Sequence, residues 1–142
     1  MSLDEKMQYV QGYGVLVAVR QLARLLSAPA KAGFYISVPD VLEIAESLGV
    51  PAMPRNERQW FFEEVMKAAL DMEKLDAFLN ELSKLIDERA REVATYVNKY
   101  PRAGEYLRWS LERAEELKKR IRETARIYQG FLRLKKEYGE PG

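Results

Sequence analysis

Apolar residues recur at helical spacing through most of this chain, and that periodicity predicts an all-α fold. Ser2 and Glu5 form a capping-box pattern that starts a helix at Leu3. Val15, Leu16, Val19, Leu22, Leu25 and Leu26 carry its apolar face to about Leu26. Gly12, Gly14 and Ala18 interrupt it; the glycines lower helix propensity, and the implied use of all three is close approach of another backbone. Residues 28–37 read as a connector in which Gly33 to Ile36 could be extended. Ser37 then caps a short helix with Pro39 in its first turn, and Gly49 closes it. Pro51 to Pro54 make a stiff turn. Asn56 with Gln59 is expected to cap the next helix, which carries Trp60, Phe61, Val65, Met66, Ala69 and Leu70. Asp71 marks either a break or a bend.

From Met72 to about Lys99, the positions Leu75, Phe78, Leu79, Leu82, Leu85, Ile86, Val93, Tyr96 and Val97 predict a helix of about 28 residues, about 42 Å long. Tyr100-Pro101 is the turn, because proline disfavours helix in the residue before it. A last helix is expected from about Arg102 to Tyr138, with Leu107, Leu111, Ala114, Leu117, Ile121, Ala125, Tyr128 and Leu132 as its stripe. Two long helices joined by a short turn should lie antiparallel. At such length they should also project beyond a compact domain of this size and leave a far end in need of a partner. The expected architecture is one all-helical domain, a helix bundle over residues 1–142. It comprises an N-terminal helix and connector (1–36), short helices (37–71) and a long antiparallel hairpin (72–138).

Composition removes several function classes. Cysteine and histidine are both absent, so disulfides, thiolate metal sites and the commonest general base are excluded. Hydrophobic residues at 47% and charged residues at 32% fit neither disorder nor a membrane span, and no signal-peptide pattern is present. Only Asn56, Asn80 and Asn98 are asparagines, against many Glu, Lys and Arg. That bias fits a hyperthermophile, and it equally fits long solvated helices.

Charge is segregated along the chain. Residues 1–36 hold two acids and four bases, residues 37–100 thirteen acids and eight bases, and residues 101–138 six acids and eleven bases. At 100° per residue, Arg108, Lys119, Arg122, Arg126 and Arg133 fall in one row about 60–120° round from the apolar stripe, with Glu115 interrupting it. Glu105, Glu112, Glu116 and Glu123 lie farther round. Such bases either pair with acids of the middle segment, as at coiled-coil edges, or track phosphates, with Arg20 and Arg24 in support.

Other constellations carry less. Ile44 to Val50 resembles the first helix and turn of a helix-turn-helix. Its turn is lengthened by Pro51 to Pro54, however, and Arg55 and Arg58 stand where apolar anchors belong. A Gly-capped helix accounts for the same residues. Trp60, Phe61 and Phe62 cannot all be buried on one helical face, so at least one should meet a second layer or a neighbouring subunit. Eight tyrosines add surface suited to interfaces. Glu63 with Glu64, and Asp87 with Glu88, point apart on a helix and form no dyad. No phosphate loop, serine elbow or histidine metal motif is present. An enzyme is not expected, nor is a cofactor, metal or small-molecule substrate.

Ile127-Tyr128-Gln129-Gly130-Phe131 in the last helix resembles a segment of the major coat proteins of filamentous and rod-shaped viruses of hyperthermophilic archaea. The size, helical content and lack of Cys and His also resemble that family. The resemblance implies a helix-bundle protomer that assembles around linear double-stranded DNA, as a homo-oligomer or as paired coat subunits within a virion. Its basic helices would hold DNA without sequence preference. The expected phosphate-contacting residues are Arg108, Lys119, Arg122, Arg126 and Arg133, supported by Arg20 and Arg24. A cytoplasmic scaffold or adaptor that docks a partner protein is the alternative, and a helix-turn-helix regulator is a third.

Overall fold

The computed structural model describes residues 3–27, 36–53, 57–100, 102 and 104–138. Over them the chain is all-α, with five helices taking 89% of the residues and no strand. They are α1 (Leu3–Ser27), α2 (Val38–Leu48), α3 (Arg58–Asp71), α4 (Leu75–Lys99) and α5 (Gly104–Tyr138). Ser2, residues 28–35, Asn56 and the Gly139–Gly142 tail, on which several sequence expectations rest, lie outside the described residues.

Local chemistry explains the boundaries. Asp40 N–H donates to Ser37 Oγ at 3.2 Å and Ser37 N–H donates to Asp40 Oδ2 at 3.0 Å, a reciprocal capping box at the start of α2, worth about 1 kcal/mol. Burial alone would raise the Asp40 pKa. Hydrogen bonds from Ser37, then the Arg89 guanidinium, outweigh it and hold the carboxyl below its usual range. Gly49 ends α2 at φ 71°, where a Cβ is disfavoured. Lys74 Nζ then donates to the Leu48 carbonyl at 2.6 Å, placing a cation at the negative end of that helix.

Two starts differ from expectation. α3 is capped by Glu57 with no side-chain cap hydrogen bond, so Gln59 is not part of a cap. Asp71 is a true break: α3 ends there, and Glu73 adopts φ 58° before α4 begins at Leu75 rather than Met72.

Around the core, α1 touches α3 and α5, α5 touches α4, and α4 touches α3, while α2 lies against α3 and α4. The core joins Val15, Val19 and Leu22 of α1, Val41 and Ala45 of α2, Phe61, Phe62 and Met66 of α3, Phe78, Leu82 and Ile86 of α4, and Leu117, Ile121 and Tyr128 of α5. Trp60 stays 55% exposed and donates its Nε1–H to Glu64 at 2.8 Å, so the aromatic triplet divides as helical geometry demands. Of the small residues in α1, Ala18 is buried and Gly12 faces the ring of Phe131, a side chain rather than a backbone. Gly14 meets nothing within 4 Å, so no close approach within the fold involves it.

Burial on α4 stops at Ile86, although the apolar pattern continues through Val93 and Tyr96. Near that point Arg89 ties α4 to α2, donating to Asp40 Oδ1 at 3.0 Å. Beyond it Tyr96 and Tyr100 are exposed. No described helix is long and apolar enough to cross a membrane.

Candidate nucleic-acid interface

Among the described side chains of α5, the buried ones are Ser110, Ala114, Leu117, Ile121, Thr124 and Tyr128. On a helical wheel their centre lies about 40° from the centre of the apolar stripe read from sequence. The rotation arises because Leu111, Ala125 and Leu132 of that stripe are only half-buried. Ser110 and Thr124 face the core, and Thr124 Oγ1 donates to the Arg120 carbonyl within its own helix at 2.9 Å, so its burial leaves no unpaired hydroxyl.

That rotation moves the basic row. Arg108, Lys119, Arg122, Arg126 and Arg133 stand about 120–180° round from the centre of the buried face. They do not flank the seam; they occupy the side of α5 turned away from the core, and all five are exposed. The row spans about 38 Å along the helix axis.

Pairing separates these bases from their neighbours. Lys118 Nζ lies 2.7 Å from Asp87 Oδ1, and Lys135 Nζ 3.8 Å from Glu73 Oε1, so these two lysines tie α5 to the acidic middle segment. Arg113 pairs with Glu116 and Arg120 with Glu123 within α5. The row is different: among the described residues no carboxylate forms an ion pair with Arg108, Lys119, Arg122, Arg126 or Arg133. Glu115, which interrupts the row in sequence, leans to Lys118 at 3.9 Å.

Arg20 and Arg24 do not extend the row. Arg20 Nε donates to Glu63 Oε1 of α3 at 3.1 Å, and Lys67 reaches the same oxygen at 3.2 Å. Burial would raise the Glu63 pKa; the hydrogen bonds and charges of Arg20 and Lys67 prevail and hold it below its usual value. Arg24 is exposed at a groove between α1 and α5, where Arg120 and Glu123 form the opposite wall. Arg120 is thus a base near Arg24 that sequence reasoning missed, because the wheel of one helix does not give its register against another.

Arg58 has a structural position. Its guanidinium donates to the Ser27 carbonyl at 2.9 Å and to the Ile36 carbonyl, and it lies over the Phe62 ring at 5.5 Å. A base engaged by two backbone carbonyls is not presented to a DNA groove. Its partner in the helix-turn-helix reading, Arg55, lies outside the described residues.

No protein-family model, no curated protein and no solved structure matches this chain.

Proposed function

We propose that this chain is a structural, non-catalytic protein: a helix-bundle protomer, with α4 and α5 as an antiparallel hairpin, that assembles into a filament and packages double-stranded DNA. The observation that carries this reading is the row Arg108, Lys119, Arg122, Arg126 and Arg133, exposed along one side of α5 with no described carboxylate paired to it. Unpaired exposed bases in a line suit contacts to phosphate oxygens, which position a protein on a duplex without reading its sequence. Lys118 and Lys135 take the alternative role, neutralising the acidic segment, and so leave the row available. The likeness of Ile127 to Phe131 to archaeal filamentous-virus coats supports the same reading and would make the virion its place of action.

The test is binding to duplexes of unrelated sequence from about 50 to 200 mM salt. The expected affinity falls by orders of magnitude and is alike for every sequence, because each neutralised phosphate releases counterions. Absent or salt-insensitive binding overturns the proposal.

A second reading, a scaffold that docks a partner protein, is favoured by a different observation: Tyr96, Tyr100 and Trp109 are exposed where α4 ends and α5 begins.

A further inference from the structure

The two ends of the α4–α5 hairpin are chemically complementary. At the Tyr100 end, the rings of Tyr96 and Tyr100 lie 4.6 Å apart and are 51% and 47% exposed. Trp109 is exposed in the early turns of α5. Cations accompany these rings: Lys99 Nζ lies 5.8 Å from the Tyr100 centroid and the Arg113 guanidinium 5.1 Å from that of Trp109. At the other end, α1, α3 and α5 enclose an open apolar groove of about 470 Å³. Tyr13, Leu16, Leu70 and Phe131 line it, and the carboxylates of Asp71 and Glu73 stand at its edge beside Lys135. The groove is large enough for aromatic side chains, and its acidic edge suits cations stacked on them.

Glu73 adds an independent sign. It holds φ 58° between α3 and α4, a left-handed conformation that disfavours any residue with a Cβ and that glycine adopts freely. A strained non-glycine there sets a carboxylate at the groove edge, where glycine would set none.

Within one copy these features cannot meet. Trp109 and Lys135 are about 39 Å apart along α5. We propose that the aromatic, cationic end of one copy seats in the acidic-edged apolar groove of a second copy of this chain. This deepens the filament part of the proposed function and rests on its hairpin reading, but needs no nucleic acid. Because the two surfaces differ and lie at opposite ends, the contact is head-to-tail, the type that builds an open filament when the rotation between copies does not close a ring.

The test is a complementation experiment by sedimentation velocity on nucleic-acid-free protein over a wide concentration range. One variant loses the aromatic end (Tyr96→Ser with Tyr100→Ser). The other fouls the groove with cations (Tyr13→Lys with Leu16→Lys). All four positions are exposed, and helical circular dichroism checks that each variant folds; Leu16→Ser replaces the groove pair if it does not. The unaltered chain is expected to form a concentration-dependent series of oligomers, and each variant alone to be monomeric. An equimolar mixture should form a discrete dimer and nothing larger, since it holds one intact end and one intact groove. A monomeric unaltered chain, variants that assemble as it does, or a mixture that stays monomeric overturns the inference. DNA binding by the same monomeric variants is read separately, so loss of assembly and loss of phosphate binding are distinguished.

Discussion

Lys118 Nζ lies 2.7 Å from Asp87 Oδ1, while Lys119, about 100° farther round the same helix, faces solvent without a described acidic partner. Adjacent lysines therefore have separable jobs. Lys118→Ala should destabilise the fold by about 0.2–1 kcal/mol, the range for a partly exposed pair, and a double-mutant cycle with Asp87→Ala should recover that coupling. Lys119→Ala should leave the melting temperature unchanged and weaken duplex binding.

The exposed basic row makes a quantitative prediction. Arg122 and Arg126 sit one helical turn apart on the exposed side of α5. Replacing both with Gln should flatten the plot of log affinity against log salt by about 0.9 per lost phosphate contact, equally for all sequences. Replacing Arg20, which is engaged with Glu63, should change that slope little.

Arg58 is expected to matter for folding and not for recognition. It bridges the Ser27 and Ile36 carbonyls to the start of α3, and hydrogen bonds to a charged donor contribute about 1.5–3 kcal/mol. Arg58→Met should lower chemical-denaturation stability by an amount of that order. Sequence-specific DNA binding abolished by this change in a variant of undiminished stability would instead favour the helix-turn-helix reading.

These residues also show what the sequence could and could not reveal. Ser37, Pro39 and Gly49 announce α2 because capping is local chemistry, and the structure places all three as read. That Trp60, Phe61 and Phe62 cannot share one face follows from 3.6 residues per turn; that Trp60 is the one left exposed and Phe62 is buried does not. The facing of α5 did not follow, because an apolar wheel does not show that Leu111, Ala125 and Leu132 stay half-buried while Ser110 and Thr124 are buried, Thr124 with its hydroxyl donating to its own helix. Which of eleven bases would pair was also hidden. Lys118 and Lys135 meet Asp87 and Glu73 only through the register of α4 on α5, a tertiary quantity that no single-helix pattern contains.

Acid should weaken the fold through two carboxylates. Asp40 and Glu63 are both held below their ordinary values of 3.8 and 4.5. A group with a depressed folded pKa contributes stability that is complete above its unfolded pKa and is lost as pH falls through the folded one. Thermal melts should therefore be flat with respect to these groups above about pH 5 and decline below it. Asp40→Asn and Glu63→Gln should each reduce that decline, and an unchanged acid slope in both variants would contradict the assignment.

Glu73 offers the sharpest separation of stability from assembly. At φ 58° its Cβ is strained, and its ion pair to Lys135 is long, at 3.8 Å, with a Glu73 side chain 71% exposed. That pair contributes little against solvent screening. Glycine at this position relieves the strain at the expense of extra freedom in the unfolded chain, so Glu73→Gly should stabilise the monomer by about 0.5–1 kcal/mol. If the carboxylate at the groove edge receives the cations of a second copy, the same substitution should weaken head-to-tail assembly. A variant that melts higher yet sediments smaller than the unaltered chain is the expected outcome, because the strain is local to Glu73 while its carboxylate acts in the contact between copies. Glu73→Gln, which retains the strain and removes the charge, should weaken assembly without raising the melting temperature.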